Sequence, residues 1–169
     1  MILLGILYSI KQCTFSRFYD IIVFGKLSWV RFMGSKLNEK MFRVAKEVSS
    51  LSEFPRIQIG AVVARKHTVL AVGVNQVKSH PLQKKYNKER FEQEQDTCQH
   101  HIHAEMDALL KVKNIDDLSK ASIYVFRRNG EGALAMSRPC PACMSKIMEV
   151  GIKKIHYTTN MGYAFEQLI

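Results

Sequence analysis

The chain has 169 residues, 47% hydrophobic and 24% charged, a balance that supports one packed domain and excludes collagenous, low-complexity and disordered classes. A formal net charge of +10 and a pI of about 9.6 favour anionic partners, nucleotides or nucleic acid, although a solvated basic face accounts for the same charge. Four cysteines, Cys13, Cys98, Cys140 and Cys143, are too few for a disulfide scaffold in a chain this long, which leaves metal or redox chemistry in a reducing, cytoplasmic compartment.

Residues 1–35 form an N-terminal extension of uncertain role. Its apolar runs Met1–Ile10 and Ile21–Phe24 are broken by Lys11, Arg17, Asp20, Lys26 and Arg31. A membrane span needs about 20 predominantly apolar residues, so there is no clear span here. The charge order is also wrong for a signal peptide. An upstream extension, an extra packed helix and a membrane-surface anchor all remain open, with Met33 and Met41 as alternative starts.

Residues 36–169 read as the domain proper. Leu37, Met41, Val44, Ala45, Val48 and Leu51 recur at helical spacing, which predicts an amphipathic helix over Lys36–Phe54 with Ser35 as cap and Pro55 beyond its end. Ile57–Ala64 and His67–Val74 read as a hairpin, and the first strand, apolar on both faces, is expected at the centre of a sheet. Gln76–Gln99 is a long polar insert with Lys78, Lys84, Lys85, Lys88 and Arg90, expected to be partly helical. Further on come a helix over His103–Lys113, a strand over Ala121–Phe126 and a turn region over Arg127–Ser137. A helix over Cys140–Val150 with Gly151 as its stop, a strand over Ile152–Thr159 and a short tail complete the reading. This alternation predicts an α/β fold: a three-layer α/β/α sandwich around a mixed, roughly five-stranded sheet.

Two segments carry chemistry. His103-Ala104-Glu105 and Pro139-Cys140-Pro141-Ala142-Cys143 both fall at predicted helix N-termini. Cys140 and Cys143 share one helix face and can reach one ion. With His103 they make the three-ligand set of a catalytic zinc site, which keeps a fourth position for water. Helix N-termini favour the thiolate form that zinc requires. Glu105, two residues past His103, projects elsewhere and suits a general acid–base beside the open position.

His-x-Glu followed by Pro-Cys-x-x-Cys is the signature of zinc nucleobase deaminases, and the chain resembles the cytidine and deoxycytidylate deaminase superfamily, most of all its dCMP deaminase-like members. Ile59-Gly60-Ala61-Val62-Val63, Gly73-Val74-Asn75 and Gly151-Ile152-Lys153-Lys154-Ile155 extend the likeness to roughly Lys36–Thr159. The resemblance implies a cytidine deaminase-like fold and hydrolysis of cytosine to uracil and ammonia, with zinc on His103, Cys140 and Cys143 and Glu105 as the catalytic carboxylate. It implies a nucleoside or nucleotide substrate such as dCMP, with Asn75 on the sugar and the Ala104 N–H and Ser137 lining the base pocket. A homo-oligomer is also implied.

Other readings stand beside this one. Cys140 and Cys143 fit a redox pair, or a structural zinc completed by Cys98, His100, His101 or Cys13, which would make a non-catalytic zinc module. Cys98, His100 and His101 with His80 suggest a second metal site, or only a polar loop. Arg127-Arg128 and the Lys78–Arg90 cluster suit a phosphate or a nucleic-acid backbone. A deaminase of single-stranded DNA or RNA needs a long basic groove and stacking aromatics, of which the cluster offers only Tyr86 and Phe91. A tRNA adenosine deaminase usually carries an acid before Pro-Cys, where this chain has Arg138.

Overall fold

The computed structural model describes residues 18–23, 26–31, 36–90, 101–113 and 118–168. Strands β1 (Phe18–Val23) and β2 (Lys26–Arg31) form an antiparallel hairpin. The helix weighed for the N-terminal extension is therefore not what its described part forms. Runs such as Ile21-Ile22-Val23 are β-branched and favour extended backbone. Among the described residues no helix is long and apolar enough to cross a membrane.

Helix α1 (Lys36–Ser49) buries Met41, Phe42 and Ala45 on one stripe. It stops earlier than the predicted Phe54. The Ser49 and Ser50 hydroxyls donate to the Lys46 and Glu47 carbonyls, at 2.7 and 2.6 Å, taking acceptors that a longer helix would have used. Leu51, expected on the apolar stripe, is 72% exposed.

The predicted hairpin is β3 (Ile57–Arg65) and β4 (Thr68–Val74), antiparallel and turning through Lys66, which takes a φ of 55°. The polar insert opens with β5 (Gln76–Ser79), continues into α2 (Pro81–Arg90) and returns through β6 (His101–Ile102), paired with β5. Then follow α3 (Ala104–Lys111), β7 (Ser122–Asn129), α4 (Pro141–Glu149), β8 (Lys154–Thr159) and β9 (Gly162–Gln167). Gly151, at φ 85°, ends α4 as expected, with the Ile152 N–H reaching the Ile147 carbonyl at 3.1 Å.

The main sheet runs β4-β3-β7-β8-β9, with β7 and β8 parallel and the other neighbours antiparallel. The mixed five-stranded α/β sandwich expected from the sequence is what forms. The strand apolar on both faces, β3, lies inside the sheet. The expected short tail instead forms an edge partner for β8, the six-residue strand β9. Its inward positions are Ala164 and Glu166, and the buried carboxylate hides the alternation that marks a strand.

The sheet has two cores. On one face Ala61, Val63, Ile123, Val125 and Ile155 pack against Ala104, Ala108 and Leu109 of α3 and Ile147 of α4. On the other, Val62, Tyr124 and Phe126 meet Met41, Phe42 and Ala45 of α1. Both helix layers approach through glycine. A Cβ at Gly60 would stand 2.2 Å from the Ala45 carbonyl oxygen, and one at Gly73 would stand 2.2 Å from the Ala108 nitrogen. Side chains there would hold α1 and α3 off the sheet.

Tyr124, His156 and Phe165 are register partners across β7, β8 and β9. The Tyr124 and His156 rings stack at 4.2 Å, with Phe165 4.9 Å from the imidazole. Burial, aided by the Lys154 charge, lowers the His156 pKa to about 4. The unfolded chain takes up this proton below about 6.5 and the folded chain only near 4, so stability falls as pH drops through that window. The loss should total about 3 kcal/mol. Urea unfolding of the parent and His156→Phe across this range checks it: the variant should lose that share of the pH slope, and an unchanged slope contradicts the assignment.

Candidate active site

The N-termini of α3 and α4 meet at one side of the sheet. His103 is the N-cap of α3 (φ −78°, ψ 152°) and Cys140 the N-cap of α4 (φ −68°, ψ 163°). Neither side chain caps its own helix, so both are directed toward the junction. Cys143, one turn into α4, is fully buried. His103 Nδ1 lies 3.4 Å from each of the Cys140 and Cys143 Sγ atoms, and the three donor atoms all fall within 4.8 Å of one another.

These distances suit a shared ion. Tetrahedral zinc, with Zn–S near 2.3 Å and Zn–N near 2.0–2.1 Å, separates sulfur from nitrogen by about 3.5 Å. Among the described residues no fourth histidine, cysteine or carboxylate joins the group. Two thiols and one imidazole supply three of the four positions of a tetrahedral zinc site.

The thiols already behave as an unequal pair. The Cys140 pKa is lowered to about 3, first by the hydrogen bond from Cys143 and further by His103, against the opposing effect of burial. The Cys143 pKa is raised, first by that same bond and then by burial. One proton is thus held between two sulfurs, and a divalent cation that binds both must displace it.

Glu105 follows in the first turn of α3 and is buried. Desolvation raises its pKa; the charge of His103 pulls the other way, and Cys140 pushes it up again. Its carboxyl group hydrogen-bonds with the Cys143 thiol. A carboxyl group held so close to its proton is suited to accept and return one.

His103, Glu105 and Cys140 line a cavity of about 290 Å³, just under the roughly 300–1,000 Å³ typical of small-molecule sites. Ile59 and Val125 form apolar wall, and Arg127 and Arg138 also line the cavity. Arg138 is held in a bidentate pair, its Nε and Nη2 donating to Glu166 at 2.8 and 2.7 Å. Arg127 donates through Nη1 to the Met136 carbonyl at 3.2 Å, while its buried Nε has no partner among the described residues. Arg128 Nε is likewise buried without a partner, but that residue does not line the cavity.

The three residues expected to contact substrate are placed differently from one another. Asn75 lines the cavity, yet its side chain also holds the sheet edge: Oδ1 accepts from the Ile59 N–H at 2.9 Å and the Ser52 hydroxyl at 2.7 Å, and Nδ2 donates to the Ile57 carbonyl at 2.8 Å. One amide N–H is left for another acceptor. Ser137 lines the cavity too, and its hydroxyl is engaged with the Val125 carbonyl at 2.8 Å and the Thr158 N–H at 2.9 Å. Ala104 is fully buried and does not line the cavity. Its backbone N–H stands in the first helical turn, where amides lack intrahelical partners.

Of the residues considered for a second metal site, Cys98 and His100 lie outside the described residues, as does Cys13. His80 Nδ1 accepts from the Leu82 N–H at 3.1 Å and so caps α2, while His101 Nδ1 contacts the Val77 carbonyl. Sequence reasoning missed the Arg138–Glu166 pair and Asp107. The Asp107 carboxylate accepts from the Val74 N–H at 2.9 Å and from Lys111 Nζ at 2.6 Å, tying α3 to the end of β4. The Asp107–Lys111 spacing was the one local signal available.

With this geometry in place, the comparisons define the class. Residues 35–159 match the family described as the cytidine and deoxycytidylate deaminase zinc-binding region, and the chain belongs to that family. An uncharacterized deaminase in the luxG 3′ region of Aliivibrio fischeri is 31% identical over 124 residues, 73% of this chain and 74% of that protein. A probable deoxycytidylate deaminase of Caenorhabditis elegans is 26% identical over 129 residues, 74% of this chain and 58% of that protein. The apo crystal structure of dCMP deaminase from cyanophage S-TIM5 aligns with a TM-score of 0.49 and 23% identity, over 74% of this chain and 84% of that one.

Proposed function

We propose that the chain is a zinc-dependent hydrolase that removes the 4-amino group of cytosine from a deoxycytidine 5′-monophosphate substrate. The observation that carries this reading is the meeting of His103, Cys140 and Cys143 donor atoms beside a cavity lined by His103, Cys140, Glu105 and Arg127. His103 Nδ1 and the two Sγ atoms would hold the ion. Bound there, zinc would supply Lewis acidity that lowers the pKa of water to about 7.

The chain's own residues supply the remaining chemistry. Glu105 accepts one proton of the attacking water and gives it to ring N3, then takes the proton of the new C4 hydroxyl and passes it to the departing amine. A C4–O bond forms, the C4–N bond breaks, ammonia leaves and uracil remains. Ile59 and Val125 offer apolar walls for the ring. Ser137, on the cavity wall, borders the base, while Ala104 lies behind that wall. Asn75 offers its remaining amide N–H to a sugar hydroxyl. Arg127 supports the choice of a phosphorylated substrate. It lines the cavity, and a phosphate bound there would take charge-assisted bonds from its guanidinium.

Two variants test the reading. Glu105→Gln should keep its zinc and lose about 10²–10⁴ in kcat; turnover at the parent rate refutes the assignment. Arg127→Gln should raise KM for dCMP about tenfold or more, as loss of a charged hydrogen bond implies, with deoxycytidine turnover unchanged. Ammonia release from cytidine, deoxycytidine, dCMP, dCTP, adenosine and single-stranded DNA sets the substrate order. A strong preference for the oligonucleotide would overturn the free-nucleotide choice.

A further inference from the structure

We propose that Gln83 of the polar insert is a positioning residue for the metal ligand His103, and that α2 braces the ligand-bearing ends of α3 and α4. This rests on His103, Cys140 and Cys143 being the zinc site.

Gln83 is a polar side chain with no exposed surface. Burying an amide is unfavourable unless its groups are bonded. Its Oε1 accepts the His103 backbone N–H at 3.1 Å, and its Nε2 donates to Asn87 Oδ1 at 2.9 Å, one turn along α2. A backbone N–H can only donate, so that contact fixes which end of the amide faces His103.

The bond does a task that α3 leaves undone. In a capping box, a Glu or Gln at the third helical position reaches back to the N-cap N–H. In α3 that position is Met106, whose apolar side chain is buried. The Asp107 carboxylate is directed to Val74 and Lys111. The acceptor therefore comes from another helix, twenty residues earlier in the chain.

The rest of α2 reinforces the same junction. Tyr86, 2% exposed, packs with Met106 of α3 and Ala142 of α4, and Leu82 and Cys140 close around them. The Tyr86 hydroxyl meets the Glu149 carboxylate at the far end of α4. One helix thus touches the N-cap of α3, the N-cap of α4 and the last turn of α4. It sets how far His103 stands from the two sulfurs before any ion arrives.

The test compares the parent with Gln83→Met, which keeps the length and loses the acceptor, and Gln83→Glu, which restores it. Zinc affinity is read by competition with a chromophoric chelator, and ligand geometry by the visible absorption of the cobalt(II)-substituted proteins. Gln83→Met should bind zinc about 10–100-fold more weakly, the usual loss when a group supporting a ligand is removed, with an altered cobalt spectrum. Gln83→Glu should recover most of the affinity. Should Gln83→Met fail to fold, Gln83→Asn, which withdraws the amide by one methylene, carries the same comparison. Parent affinity and spectrum in the variant would overturn the proposal alone, whereas a parent that takes up no zinc refutes the metal site itself.

Discussion

Two sulfur atoms and an imidazole nitrogen crowd into the space of one ion, at the place where two helices begin. With Cys143 fully buried and His103 and Cys140 half-buried, this arrangement is unfavourable without positive charge. The bond between the thiols draws the Cys140 pKa down and pushes the Cys143 pKa up. The dipoles of α3 and α4 add partial positive charge at their N-termini, but only a cation satisfies all three donors together. The rest of the architecture reads as the means of holding that triangle.

Stiffness comes from the layers. α3 lies on β4 so closely that Gly73 leaves no room for a methyl group, and Asp107 bonds the end of the same strand. α4 is covered by the larger core through Ile147. A ligand on a loop would wander; a ligand on a helix end seated against a packed sheet keeps its position. The cavity gains from the same logic. Asn75 and Ser137 face it while tying strands together, so the cavity wall is also the seam that joins the sheet.

Much of this was legible in the sequence, for particular reasons. His103-Ala104-Glu105 and Cys140 to Cys143 are short motifs whose spacing and helix-start context determine where the side chains point, and the structure brings the donors together as that spacing implies. The β3–β4 hairpin and the α4 stop at Gly151 follow from local patterning. Features that depend on distant partners were hidden. The end of α1 is decided by serine hydroxyls taking carbonyls. β9 was obscured by Glu166, a buried carboxylate whose partner Arg138 lies 28 residues away. Gln83 looked like one more polar residue in a charged insert, because its role is to serve a backbone N–H on another helix. The internal duties of Asn75 and Ser137 had no local signal at all.

The net charge of +10 gains a more specific meaning in the cavity, where Arg138 is neutralised by Glu166 and Arg127 keeps a buried N–H unmatched. The proposed chemistry nonetheless depends on an ion with an open corner at this site. X-ray absorption at the zinc edge of the metal-loaded protein addresses this directly. The account predicts one zinc per chain with two sulfur neighbours at about 2.3 Å and two nitrogen or oxygen neighbours at about 2.0 Å, one of them exchangeable water. A shell of four protein ligands, or a protein that takes up no zinc, would contradict it.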